Sequence, residues 1–130
     1  TIELAKIIEK CYPKNKKSGR NPATKSFQAI RIYINNELQE LESFLNSCLD
    51  IIASGGRIVV ISFHSLEDRM VKRFIKKHSE DKNVPSKIPL TETSKNLSLR
   101  KIKTTLKAND DEVALNKRAR SARIRIAEKI

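Results

Sequence analysis

The sequence predicts an α/β fold, and three observations support this prediction. Apolar residues recur at helical spacing through most of the chain before residue 54. The run RIVVISF, Arg57 to Phe63, then places four consecutive β-branched residues after a Ser-Gly-Gly turn, which is typical of a buried strand. A second helical pattern begins directly after that strand. Helix, glycine turn, buried strand and helix, in that order, are typical of an α/β domain.

The part before the strand divides into two helical patterns. The first covers residues 1–11, and a loop broken by prolines and a glycine follows over 12–24. Asn21-Pro22 resembles a helix entry, with Asn as the cap and Pro in the first turn. The second pattern runs over 21–53, with a predicted kink or restart at 35–37, since Asn prefers caps to helix interiors.

The strand and the helix after it are expected to lie inside the domain. Gly55 and Gly56 end the preceding helix, because glycine adopts the left-handed cap freely. The strand is expected to be buried on both faces, as in a parallel sheet covered by helices. The helix over 65–78 is predicted to bury Leu66, Met70, Val71, Phe74 and Ile75, and 79–96 is predicted to be a loop.

Two further strands are predicted near the end of the chain, over 99–108 and 122–130. Both alternate apolar and polar residues. The connection between them has room for a short helical turn but not for a crossover helix, so an antiparallel pair is expected. In the last strand one face carries Ala122, Ile124 and Ile126, and the other carries Arg123 and Arg125.

Charge is the strongest signal in the composition. Lys and Arg number 27 against 15 acidic residues, which gives a net charge of +12. Such a balance favours a polyanionic partner, nucleic acid above all, because each neutralised phosphate releases counterions. A solubilising surface is the alternative interpretation. Thr1 indicates a processed chain or a fragment.

Several classes of protein are not expected. No apolar run reaches the roughly 20 residues of a membrane span, and no signal segment opens the chain. Cys11 and Cys48 lie in helical patterns without a CxxC spacing, so neither a disulfide framework nor a structural zinc is predicted. A reduced, cytoplasmic setting is expected. With only three glycines, at 19, 55 and 56, the chain cannot contain a GxGxxG cofactor loop.

Polar residues cluster where the predicted strand ends, at Ser62, His64 and Ser65. Ligands bind outside the carboxyl ends of strands in open α/β sheets. The cluster could be a Ser-His nucleophile pair, a helix cap formed by Ser65 with Asp68 in the first turn, or the lining of a substrate pocket. The glycine-flanked Ser of a nucleophile elbow is lacking, which disfavours hydrolysis. His64 and His78 are too far apart to bind a metal as a helical pair.

Two groups of cations are candidate phosphate contacts. Arg20, Lys25 and Arg31 flank a predicted helix N-terminus, which is itself an anion site; ordinary solvated cations are the alternative. The second group lies in NKRARSARIR, and arginine-rich segments bind RNA backbone, although a strand edge protected by charge is the alternative. Its members are Lys117, Arg118, Arg120, Arg123 and Arg125.

Three long motifs resemble the bacterial ribosomal small-subunit methyltransferase H family, also called MraW. They are NPATKSFQAIRIYINNELQELE, GGRIVVISFHSLEDRMVKRF and NKRARSARIRIAEK, in the order and spacing of that family. The resemblance implies methylation of N4 of a decoding-region cytosine in 16S rRNA, with S-adenosylmethionine as methyl donor. It also implies a Rossmann-like class I methyltransferase sheet with an inserted helical domain.

The resemblance also implies a division of the chain. Residues 1–20 would be the tail of the inserted substrate-recognition domain, and 21–130 the C-terminal part of the methyltransferase domain, with 57–62 as its fifth strand. The family's cofactor-binding motifs precede the inserted domain, so no cofactor-binding residue is expected here. The isolated chain is expected to bind S-adenosylmethionine poorly and not to methylate.

The resemblance finally implies roles for particular residues. Ser62, His64 and Ser65 would shape the target pocket, and 16S rRNA in the small ribosomal subunit would be the partner. The cations expected to hold phosphates are Arg20, Lys25, Arg31, Arg69, Arg118, Arg120 and Arg123. Association of copies through an exposed sheet edge is a further expectation. The competing interpretation is a free-standing basic RNA-binding module without catalysis.

Overall fold

The structure, a computed structural model, describes residues 1–12, 21–80 and 97–130, apart from the side chains at positions 103 and 104. The elements are α1 (Ile2–Cys11), α2 (Thr24–Ile34), α3 (Glu37–Ile51), β1 (Arg57–Ser62), α4 (Ser65–Ser79), β2 (Leu99–Leu106), α5 (Asp110–Leu115), a 3₁₀ helix (Lys117–Ser121) and β3 (Arg123–Lys129). These elements confirm the predicted α/β class. Most of the two predicted loops lies outside the described residues.

The described residues form two compact units, Thr1–Glu40 and Leu41–Ile130, which are described separately below. The predicted domain boundary at residue 20 lies outside the described residues and stays a prediction. Within the described ranges, no helix is long and apolar enough to cross a bilayer.

In the first unit, Asn21 forms a turn ahead of α2 instead of its cap. The helix begins at Thr24, and the Ala23 N–H donates to Asn21 Oδ1 over 2.8 Å. Short Asn side chains accept such local hydrogen bonds and thereby favour turns. Asn21 Nδ2 also donates to Glu9 Oε1 over 2.7 Å, which ties the end of α1 to the start of α2.

The predicted restart between α2 and α3 is confirmed. Asn36 has a φ of 54°, in the left-handed region that Asn tolerates better than most residues. Arg31 spans the break and binds Glu37 with two hydrogen bonds, Nε to Oε1 at 2.8 Å and Nη2 to Oε2 at 3.1 Å. This paired geometry joins α2 to the first residue of α3 across the break.

The second unit contains a three-stranded sheet in the order β1-β3-β2. Both pairings are antiparallel, so the predicted antiparallel relation of the last two strands is confirmed. β1 also pairs antiparallel with β3, from Arg57 opposite Glu128 to Ser62 opposite Arg123. On the outer face Glu128 accepts hydrogen bonds from Arg57 and Arg100, which lowers the pKa of its carboxyl and links all three strands.

The core lies on one face of this sheet, so the expectation that β1 is buried on both faces is wrong for the described residues. Ile58 is 4% exposed, whereas Val59 and Ile61 on the opposite face are 58% and 54% exposed. The reason is that α3 and α4 both contribute to the same core, which leaves the other face uncovered by described residues. The core comprises Leu45, Cys48, Ile58, Val71, Phe74, Ile75, Leu99 and Ala127.

The burial expected along α4 is met only in part. Val71, Phe74 and Ile75 are buried as predicted, but Leu66 is 40% exposed because it lies in the first turn, beyond the core.

Cys11 and Cys48 are free thiols. Burial raises the pKa of the Cys48 thiol, which keeps it protonated and unreactive.

The start of β1 is joined to the end of β3. Gly55 has a φ of 79°, and its N–H donates to Lys129 O over 2.8 Å, while the Lys129 N–H donates to Gly56 O over 2.8 Å. A Cβ at Gly56 would lie 2.4 Å from Ile52 Cγ2, so only glycine fits there without displacement. Lys129 Nζ donates to Leu49 O and Ile52 O and so caps the end of α3.

A buried ion pair joins α4 to β3. Lys72 lies one helical turn after Asp68, but the structure pairs Asp68 with Arg125, whose Nε and Nη2 donate to the two carboxylate oxygens over 2.7 and 2.9 Å. Arg125 is buried at 6% exposure on the core face of β3. Its hydrogen bond is the main reason that the pKa of the Asp68 carboxyl is lowered. Arg125 therefore serves the fold.

We predict that Asp68→Asn lowers the free energy of unfolding by about 2–3 kcal/mol at neutral pH, because it leaves the Arg125 guanidinium buried without a carboxylate. The pKa of Asp68 is lower in the folded than in the unfolded chain. The stabilisation is therefore present above about pH 4 and is lost as pH falls through the folded pKa. Denaturant unfolding at several pH values measures both effects.

Arg57→Gln is the matched control for this prediction, since it removes an ion pair with Glu128 at an exposed guanidinium. Its expected cost is below about 1 kcal/mol. A cost of Asp68→Asn no larger than that of Arg57→Gln would contradict the structural importance of the buried pair. A difference in unfolding free energy between Asp68→Asn and wild type that does not shrink as the pH falls would contradict it as well.

Candidate functional site

The polar segment predicted to form a site does follow β1 and lead into α4. Ser62 is the last residue of β1 and points to the core face, at 1% exposure. Phe63 is 58% exposed, and His64 is the N-cap residue of α4. The sequence folds this way because the apolar strand ends at Ser62 and the next residues satisfy the free N–H groups of a new helix.

The cap itself differs from the predicted one by one residue. Ser65 was expected to cap α4, but His64 has the extended backbone of a cap residue, and its Nδ1 accepts from the Glu67 N–H over 3.4 Å. Glu67 Oε2 in return accepts from the N–H groups of Phe63 and His64, over 3.0 and 3.4 Å. This reciprocal pattern is a capping box in which a ring nitrogen replaces the usual hydroxyl.

The same contacts bear on the nucleophile interpretation. Both ring nitrogens of His64 face Glu67: Nδ1 meets its N–H, and Nε2 lies 3.2 Å from Oε1. Because Nδ1 accepts a hydrogen bond, the neutral ring carries its proton on Nε2. Ser65 is exposed in the first turn of α4. The geometry therefore uses His64 as a cap and orienting group, and it does not arrange His64 as a base for Ser65.

Ser62 is the other unusual group at this end of the sheet. Its Oγ is buried, and among the described residues it has no hydrogen-bond partner. A buried hydroxyl without a partner costs roughly 1–3 kcal/mol. A hydrogen bond to Ser62 Oγ from a polar group beyond the described residues would therefore remove this cost.

The charge around this strand end is positive. Arg123 lies opposite Ser62 on β3, and both Arg123 and Lys72 act on the Asp68 carboxyl through their charges. Asp68 is itself neutralised by Arg125. The carboxyl end of β1 therefore lies near the neutral pair of Asp68 and Arg125 and near two further cations, Lys72 and Arg123. This excess of positive charge attracts an anion.

The cations predicted from sequence are distributed over both units. In the first unit, Lys25 is exposed near the start of α2, and Arg31 is engaged with Glu37. In the second, Arg69 is exposed on α4, Arg118 and Arg120 are exposed on the 3₁₀ helix, and Arg123 is half-buried. Arg20 lies outside the described residues. The structure brings Arg123 close to the Ser62 end of β1; the phosphate-binding role of all seven residues stays a prediction.

Sequence reasoning missed four exposed cations on α4. Lys72, Arg73, Lys76 and Lys77 follow Arg69 on the solvent side of the helix. Their spacing was a usable signal, because residues three and four apart lie on one helix face.

The described glycines do not form a phosphate-binding loop for a nucleotide-like cofactor. The two described glycines, Gly55 and Gly56, lie at the amino end of β1, opposite the end where such ligands bind. The space at Gly56 is filled by Ile52 and the Ala53 carbonyl. Within the described ranges, neither glycine provides a backbone cradle for phosphate or ribose at the Ser62 end.

Comparison with known proteins gives a consistent result. The 130 residues are 48% identical over 132 aligned positions to ribosomal RNA small subunit methyltransferase H of Shewanella frigidimarina (strain NCIMB 400). They are 49% identical, over the same alignment length, to the protein of the same name in Shewanella sediminis (strain HAW-EB3). Each alignment covers 100% of this chain and 42% of the relative, so the chain spans less than half the length of these curated relatives.

The family comparison covers the whole chain. The sequence model of the MraW methylase family matches residues 1–130. This range includes α4, the capping box and both ends of the sheet, so the features described above are those of a family member. The fold expectation is met as well, since the mixed helix and sheet arrangement with antiparallel β3 agrees with part of a class I methyltransferase. The chain belongs to the MraW methylase family.

Proposed function

We propose that the protein containing these residues methylates N4 of a cytosine in the decoding region of 16S rRNA, with S-adenosylmethionine as methyl donor. The observation that carries the proposal is the unbroken match of all 130 residues to a methylase family. The relatives named above, at 48% and 49% identity, support ribosomal RNA of the small subunit as the substrate. The cytosine N4 position and the cytoplasmic setting are part of the proposal.

The chemistry sets requirements that these residues can meet in part. The exocyclic amine of cytosine is a weak nucleophile because its lone pair is delocalised into the ring. The base therefore has to be taken out of the stack, and its amine has to be held in line by a hydrogen-bond acceptor. S-adenosylmethionine supplies an electrophilic methyl group when bound, and we infer that residues outside this chain bind it.

In this proposal the segment Ser62–Ser65 forms one wall of the target pocket. Ser62 Oγ is a polar group without a described partner, and the cap holds His64 rigidly at the strand end. A fixed wall favours one orientation of a flipped base. Phosphates of the flanking nucleotides would contact Arg20, Lys25, Arg31, Arg69, Arg118, Arg120 and Arg123.

A second candidate function is RNA binding without catalysis. The net charge of +12 favours it, because a basic protein binds RNA whether or not it carries out chemistry. The two candidates differ in one measurement, namely whether a methyl group is transferred.

We predict that the full natural protein transfers a labelled methyl group from S-adenosylmethionine to small-subunit rRNA, and that nucleoside digestion finds it on N4 of cytosine. The 130 residues alone are expected to transfer none, since in this proposal residues outside this chain bind the methyl donor. Label on another atom would overturn the N4 assignment. No transfer by the full protein despite RNA binding would favour the second candidate, and turnover by the 130 residues alone would disprove the inferred division of the site.

A second prediction separates the cap role of His64 from a role in the pocket. His64→Ala removes the cap and should lower the free energy of unfolding by about 1 kcal/mol, whereas His64→Asn supplies another good cap and should retain most of it. If His64 also forms the pocket wall, methyl transfer falls in both variants. Full activity in a stable His64→Asn variant would leave His64 with the cap role alone.

A third prediction concerns association of the isolated 130 residues. β1 is an edge strand among the described strands, and its outer face exposes Val59 and Ile61. Such edges pair with further strands, so we propose that copies of the isolated chain associate at high concentration. Sedimentation velocity over a concentration series measures this. Val59→Lys is expected to shift the distribution toward monomer, and an all-monomer wild type at every concentration would refute the proposal.

A further inference from the structure

The solvent side of α4 carries a continuous row of cations. The row is called here the α4 basic row and consists of Arg69, Lys72, Arg73, Lys76 and Lys77, all exposed. Relative to the first member, the others lie at i+3, i+4, i+7 and i+8, which places the row on one side of an α-helix. Members of the row on successive turns of the helix are separated along its axis by one pitch, about 5.4 Å.

The acids of α4 do not neutralise this row. Glu67 is engaged in the capping box, and Asp68 binds the buried Arg125. Glu80, just beyond the helix, lies 3.5 Å from Lys76 at a half-exposed position where an ion pair contributes little. Among the described residues, four of the five cations form no ion pair with an acid, and the row keeps most of its charge.

The row is also unfavourable for the helix that carries it. The pairs Arg69–Arg73, Lys72–Lys76 and Arg73–Lys77 are each four residues apart, and like charges at this spacing destabilise a helix by about 0.2–0.5 kcal/mol per pair. A surface that only needed to be soluble would mix both signs. A polyanion bound against the row offsets this repulsion between like charges.

The acids of α3 and α5 and the cations of α4 lie on separate helices, which also argues against a general solubilising role. α3 has Glu37, Glu40, Glu42 and Asp50 but no lysine or arginine, and α5 begins with three acids. The net charge of +12 is therefore not spread evenly along the chain, and α4 is one place where it is concentrated.

We propose that the α4 basic row binds the phosphate backbone of RNA and directs one strand toward the carboxyl end of β1. Lys72, within the row, and Arg123, opposite Ser62, both act on the Asp68 carboxyl, so the positive surface continues to the strand end. The inference rests on the proposed function insofar as that names RNA as the substrate. It adds four residues, Lys72, Arg73, Lys76 and Lys77, to those predicted from sequence.

RNA fits the row better than an anionic membrane or an acidic protein does. A helix that lies on a membrane inserts an apolar face, but the apolar face of α4, with Val71, Phe74 and Ile75, is already in the core. Stable protein interfaces have an apolar or aromatic centre, and the row contains neither. A regular array of phosphates needs only matching cations.

The test uses the full natural protein and in vitro transcribed small-subunit rRNA, with binding measured at several salt concentrations. Lys72→Gln/Lys76→Gln is expected to weaken binding by about tenfold or more at 0.1 M salt. The plot of log K against log salt should become less steep by about 1.4–1.8, since two phosphate contacts are lost. The melting temperature should stay the same or rise, because like-charge repulsion is removed.

The matched control is Lys101→Gln/Lys107→Gln, which removes two exposed lysines from β2 and the residues after it, outside the row. Its salt slope should match that of wild type. Lys72→Arg/Lys76→Arg keeps the charge and should retain binding. Arg69→Gln/Arg73→Gln tests a second part of the row with the same expectation as the first variant.

The outcomes distinguish the row from the proposed function. An unchanged slope in both row variants, or an equal loss in the Lys101→Gln/Lys107→Gln control, overturns the row as a specific contact. A loss of binding accompanied by a lower melting temperature in both row variants makes the row structural and overturns the proposal too. If wild type binds RNA through the row yet transfers no methyl group to it, the row stands and the proposed methyl transfer fails. Row-dependent binding to anionic vesicles without row-dependent RNA binding overturns the assignment to RNA.

Discussion

The ion pair between Asp68 and Arg125 fixes the relation of α4 to the sheet. It lies between the first turn of the helix and the central strand, and the guanidinium donates to both oxygens of one carboxylate through Nε and Nη2. The pair holds the first turn of the helix, which follows Ser62 and the cap residue His64, against the central strand. It agrees with the amphipathic pattern of α4, which sets the side that faces solvent. The buried side then carries the apolar residues, and the cations are left on the outside.

A group of residues with the appearance of a catalytic cluster here has a structural role first. Ser, His and Glu side chains occur together after β1, yet the contacts of His64 and Glu67 are those of a helix cap. The imidazole cap contacts Glu67 through both ring nitrogens, since Nδ1 accepts from the Glu67 N–H and Nε2 lies near its carboxylate. A cap residue at a strand end can also line a pocket, so the structural role and the proposed role in substrate binding are compatible.

The sequence was sufficient for features that depend on neighbours along the chain. The helices, the restart at Asn35–Glu37 and the run of β1 follow from periodicity and turn chemistry, which act over a few residues. It was insufficient for contacts between residues that are far apart in the chain. Asp68 has Lys72 at helical spacing, but Arg125, 57 residues away, is buried and needs the carboxylate more. The exposed face of β1 likewise depends on which elements cover it, and periodicity within the strand cannot reveal that.

The position of β3 in the sheet has a consequence for the order of folding. Both β1 and β2 pair with β3, and β3 follows both of them in the sequence. During synthesis, at roughly 5–20 residues per second, the two outer strands therefore emerge before their common partner exists. Until β3 is complete, the β1 segment that contains Val59 and Ile61 has no strand to pair with on the edge that β3 will occupy. The interval in which a chaperone or a second nascent chain can capture that segment ends only when the ribosome has released β3.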